Sequence, residues 1–421
     1  MSQQYAWIWG DPPPLLKRHS EVKHALLRNY LIDYFLTLVP LPHQEKIQLT
    51  IVDGFCGGGL YLNEDGQEVP GSPLIILEAI REAEALVNLR QERRKPIKID
   101  VELICIDASK RSLHYLRCLL EERGYGAALA DDKVRLIKGQ FSEYCGAAIQ
   151  RCDDRSPRSG RALFVLDQYG YSNVPLQCLH DIFAKLKFAE VILTFYVDAL
   201  ISFLSENNLE IFEKATGFTS SVRADEIDEI KQSPRWRVHL QSSLYQNLTD
   251  QCAAQFYTPF FIRPEQGHGD FWLLHLSQHW KARDVMASTH WKHHNHFSHY
   301  GDAGFNMFST GYITKIDDEK KLQAGFDFSE LAAAVSKETM MEQIPAMLFA
   351  GAEGMTFEQF FLRLINTTPA TRDMVKDALL ELNQGGEIVV VDESGDPSRA
   401  RVNLKSNHLL RLPSQRSFSF F

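Results

Sequence analysis

The sequence predicts an α/β chain: a mostly parallel sheet covered on both faces, closed by an antiparallel hairpin, and followed by a helix–helix–ribbon module. Three observations predict it. Short apolar runs alternate with helical periodicity between residues 20 and 195, the pattern of successive β–α crossovers. Three of those runs end in an acid, at Asp53, Asp107 and Asp167, where open sheets of this kind place ligand-facing groups. From residue 341 onward the order changes to helix, helix, ribbon, the outline of a winged helix–turn–helix.

Each element has its own signal. Residues 1–18 carry Pro12-Pro13-Pro14 and several Trp residues and read as an extended arm. From Ser20, an N-cap residue type, Val22, Leu26, Leu27, Tyr30, Leu31, Tyr34 and Phe35 recur at helical spacing. Gln48–Val52 is a buried strand that exits at Asp53-Gly54, and Ser72–Val87 is helical again. Val101–Ile106, Val134–Lys138, Ala162–Leu166 and Glu190–Phe195 are further strands, with helices at Arg111–Arg123 and Val174–Leu186. Gln255–Arg263 and Phe271–Ser277 form the closing hairpin across Gly267 and Gly269. Phe357–Ile365 and Arg372–Gln384 are the late helices, and Glu387–Asp392 with Ala400–Leu404 the ribbon. The expected division is arm and helix 1–45, main α/β domain 46–285 with a helical insertion at 199–240, linker 286–340, winged helix 341–405 and tail 406–421.

Composition bounds the function. The chain has 421 residues, 44% hydrophobic and 24% charged, with a net charge of -9. Contact with nucleic acid must therefore come from a local basic patch, not from a global field. Met1–Asp11 lacks the basic start and apolar core of a secretory leader. No apolar run reaches the about 18 residues of a membrane span. The seven cysteines are scattered and form no CxxC pair, as expected of reduced thiols in a cytoplasmic protein. His290, His293, His294, His296 and His299 crowd one segment. Without an HExxH or a neighbouring acid they read as a polar, substrate-facing stretch with Trp291 and Lys292, and no metal is expected.

Six constellations could carry chemistry. In Asp53-Gly54-Phe55-Cys56-Gly57-Gly58-Gly59-Leu60-Tyr61 a glycine cluster after a buried strand lets the backbone approach a cofactor. No GK[ST] follows, so this is not a P-loop. Asp107 at the next strand end can accept both ribose hydroxyls of an adenosine, or simply cap the following helix. Ser72 opens a helix whose free N–H groups can hold a carboxylate. Gln140 and Phe141, after the third strand, sit where an adenine would lie. Asp167 and Tyr169 form an acid–x–aromatic loop: the acid accepts from an exocyclic amine and the aromatic stacks on the base. Lys23, in the basic helix start Arg18–His24, can close over a cofactor or receive phosphate.

Together the Ser20–Lys23 helix start, Val52-Asp53-Gly54-Phe55 with its glycines and Tyr61, Gly71-Ser72-Pro73-Leu74 and Asp167–Gly170 resemble the three-Cys-motif partner (TcmP) family. These are bacterial proteins encoded beside a phage-type three-Cys-motif protein. The family reads FAGPG at the first loop and DP[FY]G at the later one; here Gly58 and Gln168 stand in place of prolines. The resemblance covers about the first 300 residues. It implies a Rossmann-like class I methyltransferase sheet, S-adenosylmethionine as cofactor and a three-Cys-motif protein as partner. The first helix start is also similar to that of an adenine-N6 ribosomal RNA methyltransferase family.

The leading expectation is therefore a methyltransferase acting on nucleic acid. Asp53, Gly54, Phe55, Gly57, Gly59, Tyr61, Ser72, Asp107, Gln140 and Phe141 would bind the cofactor, and Asp167 and Tyr169 would hold the target amine. Lys23, Arg372 and Lys376, with Arg399, Arg401 and Lys405 of the wing, would contact nucleic acid. The alternatives are a non-catalytic subunit that senses a nucleotide-like ligand, and a nuclease, which lacks the expected carboxylate cluster. The winged helix itself reads equally as a protein-interaction module.

Overall fold

A computed structural model describes residues 5–89, 95–168, 172–196, 208–217, 248–262, 271–292, 326–327, 330–350, 354–392 and 403–413, with residues 232, 298, 299, 394 and 395. The chain divides into two compact units, Met1–Phe297 and Ser298–Phe421. Tyr169, the 199–240 insertion apart from residues 208–217 and 232, the Gly267–Gly269 link, His293–His296, Arg399, Arg401 and the end of the tail lie outside the described residues.

In the first unit the helix α1 (Arg18–Leu38) leads into β1 (Lys46–Asp53). A short hairpin, β2 (Leu60–Leu62) and β3 (Glu68–Pro70), precedes α2 (Ser72–Asn88). There follow β4 (Lys98–Asp107), α3 (Lys110–Glu122), α4 (Gly126–Ala130), β5 (Val134–Lys138) and α5 (Phe141–Arg155). Then come β6 (Arg161–Asp167), α6 (Leu176–Lys185), β7 (Phe188–Tyr196) and α7 (Leu209–Thr216). The last elements are β8 (Phe256–Ile262), β9 (Phe271–Ser277) and α8 (Trp280–Lys292).

Seven strands form one sheet in the order β5-β4-β1-β6-β7-β9-β8. The first five are parallel and β9 runs antiparallel to both neighbours. This is the expected parallel core closed by a late hairpin, the sheet of class I methyltransferases. Leu49, Ile51, Val52, Leu163, Phe164 and Leu166 are buried along the central strands. Helices cover both faces, so these strands read as continuous apolar runs without alternation. The chain moves from β1 outward through β4 to β5, then returns to β6 on the other side of β1. Open sheets of this kind bind ligands beyond the strand ends at such a reversal.

Two elements go beyond the sequence expectation. The segment after Gln140 is the helix α5, with Phe141, Cys145, Ala148, Ile149 and Cys152 buried at helical spacing. The Asn63–Gln67 loop is a tight turn, in which the Asn63 side-chain oxygen accepts from the N–H groups of Asp65 and Gln67 at 3.1 and 2.8 Å.

In the second unit, β10 (Ser298–His299) pairs with β11 (Phe326–Asp327). The helix α9 (Glu330–Ala350) runs across the boundary expected at 340. It is followed by β12 (Met355–Thr356), α10 (Phe357–Leu364), α11 (Arg372–Gly385), β13 (Val389–Val391) and β14 (Leu409–Arg411). The three strands form a small sheet in the order β12-β14-β13. The strand that pairs with β13 is Leu409–Arg411; of the expected Ala400–Leu404, Asn403 and Leu404 lie in no strand and residues 400–402 lie outside the described residues. A turn at Lys405–His408, closed by the His408 N–H to the Lys405 carbonyl at 3.1 Å, reverses the chain just before β14. Phe357, Phe360, Phe361, Leu364, Val375, Leu379, Leu382, Val390 and Leu410 form the core. Among the described residues no helix is long and apolar enough to cross a membrane.

Candidate cofactor site

Strand register builds the site. Asp53 of β1 lies opposite Cys105 of β4 and Val165 of β6. Asp107 and Asp167 each stand two residues further along, so three acids close the carboxyl ends of three adjacent strands. The glycine turn leaves from β1, and α2 begins after the β2–β3 hairpin. The Gly71 N–H donates to the Gly59 carbonyl at 2.8 Å, tying the helix start to the turn.

The three acids differ sharply in how they are satisfied. Asp53 is 1% exposed. Its Oδ1 accepts from the Phe55 N–H at 3.3 Å, and its buried Oδ2 has no hydrogen-bond partner among the described residues. Burial pushes its carboxyl up to about 7, against the pull of the nearby Ser72 side chain and the Phe55 N–H. Asp107 accepts from the Ser109 N–H at 2.7 Å and from the Gly57 N–H at 3.0 Å. Burial nevertheless holds its carboxyl above the usual range. Asp167 is claimed by Lys23, whose Nζ donates to both carboxylate oxygens at 2.6 and 2.8 Å. Burial pushes Asp167 up, but Lys23, the Thr194 hydroxyl and His24 together hold it below the ordinary carboxylate value. Beside this pair, burial draws the His24 imidazole down to about 4, which keeps it neutral.

The glycines have protein neighbours of their own. Gly57 and Gly59 take left-handed φ values of 57° and 81°, which disfavour any side chain. A Cβ on Gly57 would lie 2.8 Å from the Trp7 indole, and one on Gly58 would come within 2.3 Å of that ring. On Gly59 it would meet Leu116 of α3 at 2.7 Å, and on Gly54 it would meet Leu166 and Phe141. Packing alone thus accounts for the absence of side chains through the turn.

The remaining expected residues divide into two groups. Tyr61 and Ser72 join the acids: Tyr61 is half-buried on β2, with its ring 5.4 Å from that of Trp7 and 5.7 Å from that of His24, and Ser72 opens α2 beside Asp53. Phe55 and Phe141 lie beneath the turn, their rings 6.4 Å apart. Phe141 is buried, and its ring also packs on Phe164. Its side chain therefore belongs to the core. Gln140 is exposed at the start of α5, where the Glu143 carboxylate accepts from its N–H at 3.0 Å.

Sequence reasoning missed Trp7 and the Lys23–Asp167 pairing, and took His24 only as the end of the basic helix start. The Trp-rich arm was the only available signal for the first. The pair joins positions 144 apart, which no local pattern reveals.

Of the histidine-rich segment only the start can be compared with the polar, substrate-facing stretch that its composition suggests, since His293, His294 and His296 lie outside the described residues. His290 and Trp291 are buried in the last turns of α8. Lys292 pairs with Asp33 of α1 at 2.9 Å. Among the described residues no group of His, Cys, Asp and Glu gathers to hold a metal.

In the second unit Arg372 and Lys376 lie on α11. The Arg372 guanidinium stacks on Phe357 and Phe361 at 4.5 and 5.4 Å and donates to the Ser406 hydroxyl at 2.8 Å. Lys376 is half-buried.

Residues 311–395 match the family model of the GMT-like wHTH domain. No curated protein matches the chain. Among solved structures the chain is similar to WbdD, with 12% identity over 66% of this chain and 45% of that one, at a TM-score of 0.33. It thus spans less than half of the WbdD chain. It is also similar to a protein described as an rRNA methylase of Clostridium thermocellum, with 12% identity over 62% and 98% of the two chains at a TM-score of 0.28. A third is a Streptococcus mutans protein described as a methyltransferase and solved with S-adenosylhomocysteine, with 14% identity over 62% and 99% at a TM-score of 0.28. Strand order and direction, not these superpositions, carry the fold.

Proposed function

We propose that the first unit binds S-adenosylmethionine at the carboxyl ends of β4, β1 and β6 and acts as a methyltransferase on nucleic acid. One observation carries the reading: the buried Asp53 Oδ2, without a hydrogen-bond partner among the described residues, at the point where the sheet reverses. A buried acceptor left unmade is destabilising by itself, and a ligand amino group placed there would satisfy it. The start of α2 at Ser72 offers N–H groups to a carboxylate. Asp107 keeps lone pairs beyond its two backbone bonds for ribose hydroxyls. Bound there, the cofactor would supply an activated methyl group. Asp167 would accept from a target amine, and Tyr169 follows it by two residues in sequence. The winged helix, through Lys376 and the wing residues Arg399, Arg401 and Lys405, would contact phosphate. Arg372, already held by Phe357, Phe361 and Ser406, would shape the start of that helix. A three-Cys-motif protein is the partner that the first-unit motifs suggest.

Calorimetry with S-adenosylhomocysteine tests the site. We expect binding to the wild-type protein and a loss of at least about tenfold in Asp53→Asn, the effect of losing one charge-assisted hydrogen bond. Mass spectrometry of nucleosides from cells with and without the protein tests the reaction; an unchanged methylation profile removes the nucleic-acid substrate.

A second reading has its own observation. Lys23 already donates to both oxygens of Asp167, as expected if this acid has no substrate amine to receive. In a cofactor-sensing, non-catalytic subunit, S-adenosylhomocysteine binds but Asp167→Ala changes no methylation in the cell.

A further inference from the structure

The arm before α1 is a built part of the fold. The Leu16 N–H donates to the Leu62 carbonyl at 2.7 Å, and the Leu62 N–H to the Pro14 carbonyl at 3.0 Å, so the arm runs alongside β2. Trp9 packs its ring on Tyr115 of α3 at 5.3 Å. The chain then carries Trp7 onto the glycine turn. Trp7 is 7% exposed, and its indole N–H donates to the Leu60 carbonyl at 2.8 Å. Tyr5 closes the cluster, with its ring 5.7 Å from that of Trp7 and 5.3 Å from that of Tyr61.

The indole and the acids meet the turn from different directions. Gly57 sends its N–H to the Asp107 carboxylate, while its missing Cβ points at Trp7. Trp7 gives its indole N–H to Leu60 and none to Asp53, whose Oδ2 has no partner among the described residues. The arm therefore does not stand in for a ligand at the acids; it covers the other side of the turn.

We propose that Trp7 is a positioning residue of the cofactor loop, backing the Gly57-Gly58-Gly59 turn so that its backbone stays ordered on the ligand side. The inference rests on the cofactor reading above and deepens it. Three successive glycines form the most flexible segment a chain can make, and fixing each residue costs conformational entropy. A loop that must be ordered on binding lowers affinity by that cost; a loop ordered beforehand does not. Trp7 does the ordering by filling the side of the turn where side chains are missing. It also assigns a reason to Gly58: the residue is glycine because the indole lies on it, and a proline ring there would overlap Trp7.

A double-mutant cycle on the full chain tests this, read by S-adenosylhomocysteine calorimetry with thermal unfolding run in parallel. We expect Trp7→Ala to weaken binding about tenfold and Trp7→Phe, which keeps a flat ring, to stay within about threefold of the wild type. Gly58→Ala should weaken binding about tenfold in the wild-type background and have no further effect in Trp7→Ala, because its clash partner is gone. Equal losses from Gly58→Ala in both backgrounds would mean that the ligand itself needs the space, and would overturn the assignment. Unchanged affinity in Trp7→Ala overturns it as well, and tighter binding overturns it in favour of an arm that obstructs the site. A wild-type protein that binds no S-adenosylhomocysteine overturns the cofactor reading itself, and this inference with it.

Discussion

The two ends of β4 and β1 carry acids of opposite design. At the amino end, Glu102 is 1% exposed and fully engaged. Arg151 donates to both its oxygens, from Nε at 2.8 Å and Nη2 at 2.7 Å, and Arg155 adds a bond at 3.4 Å. Asp100 beside it pairs with Lys133, Lys46 and Arg155. Burial pushes Asp100 up, but these cations hold its carboxyl well below the usual range. At the carboxyl end, Asp53 is equally buried, pairs with no cation among the described residues, and is pushed up to about 7 by burial. The same sheet thus holds one acid cluster that is closed by its own chain and one that is left open. A closed cluster clamps strands to the covering helix α5. An open one stores unfavourable free energy that a ligand can release.

The largest destabilisation is expected at the clamp. Glu102→Ala takes this partner from Arg151 and leaves Arg155 with Asp100 alone, a loss of up to about 3 kcal/mol because the Arg151 side chain is 42% exposed and solvent takes over part of its pairing. Urea unfolding should show this loss, while S-adenosylhomocysteine affinity of the folded fraction stays unchanged. A matching loss of affinity would mean that the two ends are not independent.

Removing the acid at the open end should have the opposite sign. The folded value of Asp53 is raised from 3.8 to about 7, so the folded state holds its proton more tightly. Stability contributed by the protonated form is therefore lost as pH rises from about 4 to 7. The penalty reaches roughly 4 kcal/mol at pH 8 as an upper figure. Asp53→Asn should be more stable than the wild type at pH 8 and equal to it at pH 4, while losing cofactor affinity. A variant less stable at pH 8 would show that Asp53 is structural, like Glu102.

The smallest effect is at Asp167, which stands between the two designs, paired yet 39% exposed on its side chain. Its folded carboxyl is depressed. The stability it contributes is present above its unfolded value and lost as pH falls through the folded one. Lys23→Met should flatten the acid limb of thermal unfolding between pH 5 and 2, by less than about 1 kcal/mol, since solvent screens the pair. An unchanged acid limb would place the depression elsewhere.

Much of this architecture was legible in the chain itself. Parallel strands covered on both faces give mostly apolar runs, so β1, β4, β6 and β7 announce themselves even though β4 carries Asp100 and Glu102, and β5, half-buried at the sheet edge, gives a shorter one. The helix α5 was equally readable at Phe141, Cys145, Ile149 and Cys152. Its opening Gly139-Gln140 imitates a loop and draws attention away from the period behind it. Glycines are local signals too, but their cause is not. Gly54, Gly57, Gly58 and Gly59 each lack a side chain because a particular neighbour lies there: Leu166, Trp7 and Leu116 respectively, with Trp7 serving two of them.

The sequence by itself determined the order of strands and helices, the acids at the strand ends, the glycine turn and the helix–helix–ribbon module, because periodicity, turn chemistry and capping act over a few residues. Only the tertiary structure decided which acids are paired and which is open, that Lys23 belongs to Asp167, and that the N-terminal arm lies on the glycine turn. Those outcomes depend on burial and on contacts between distant positions, where the dielectric surroundings of a carboxylate are set by whatever the fold brings beside it.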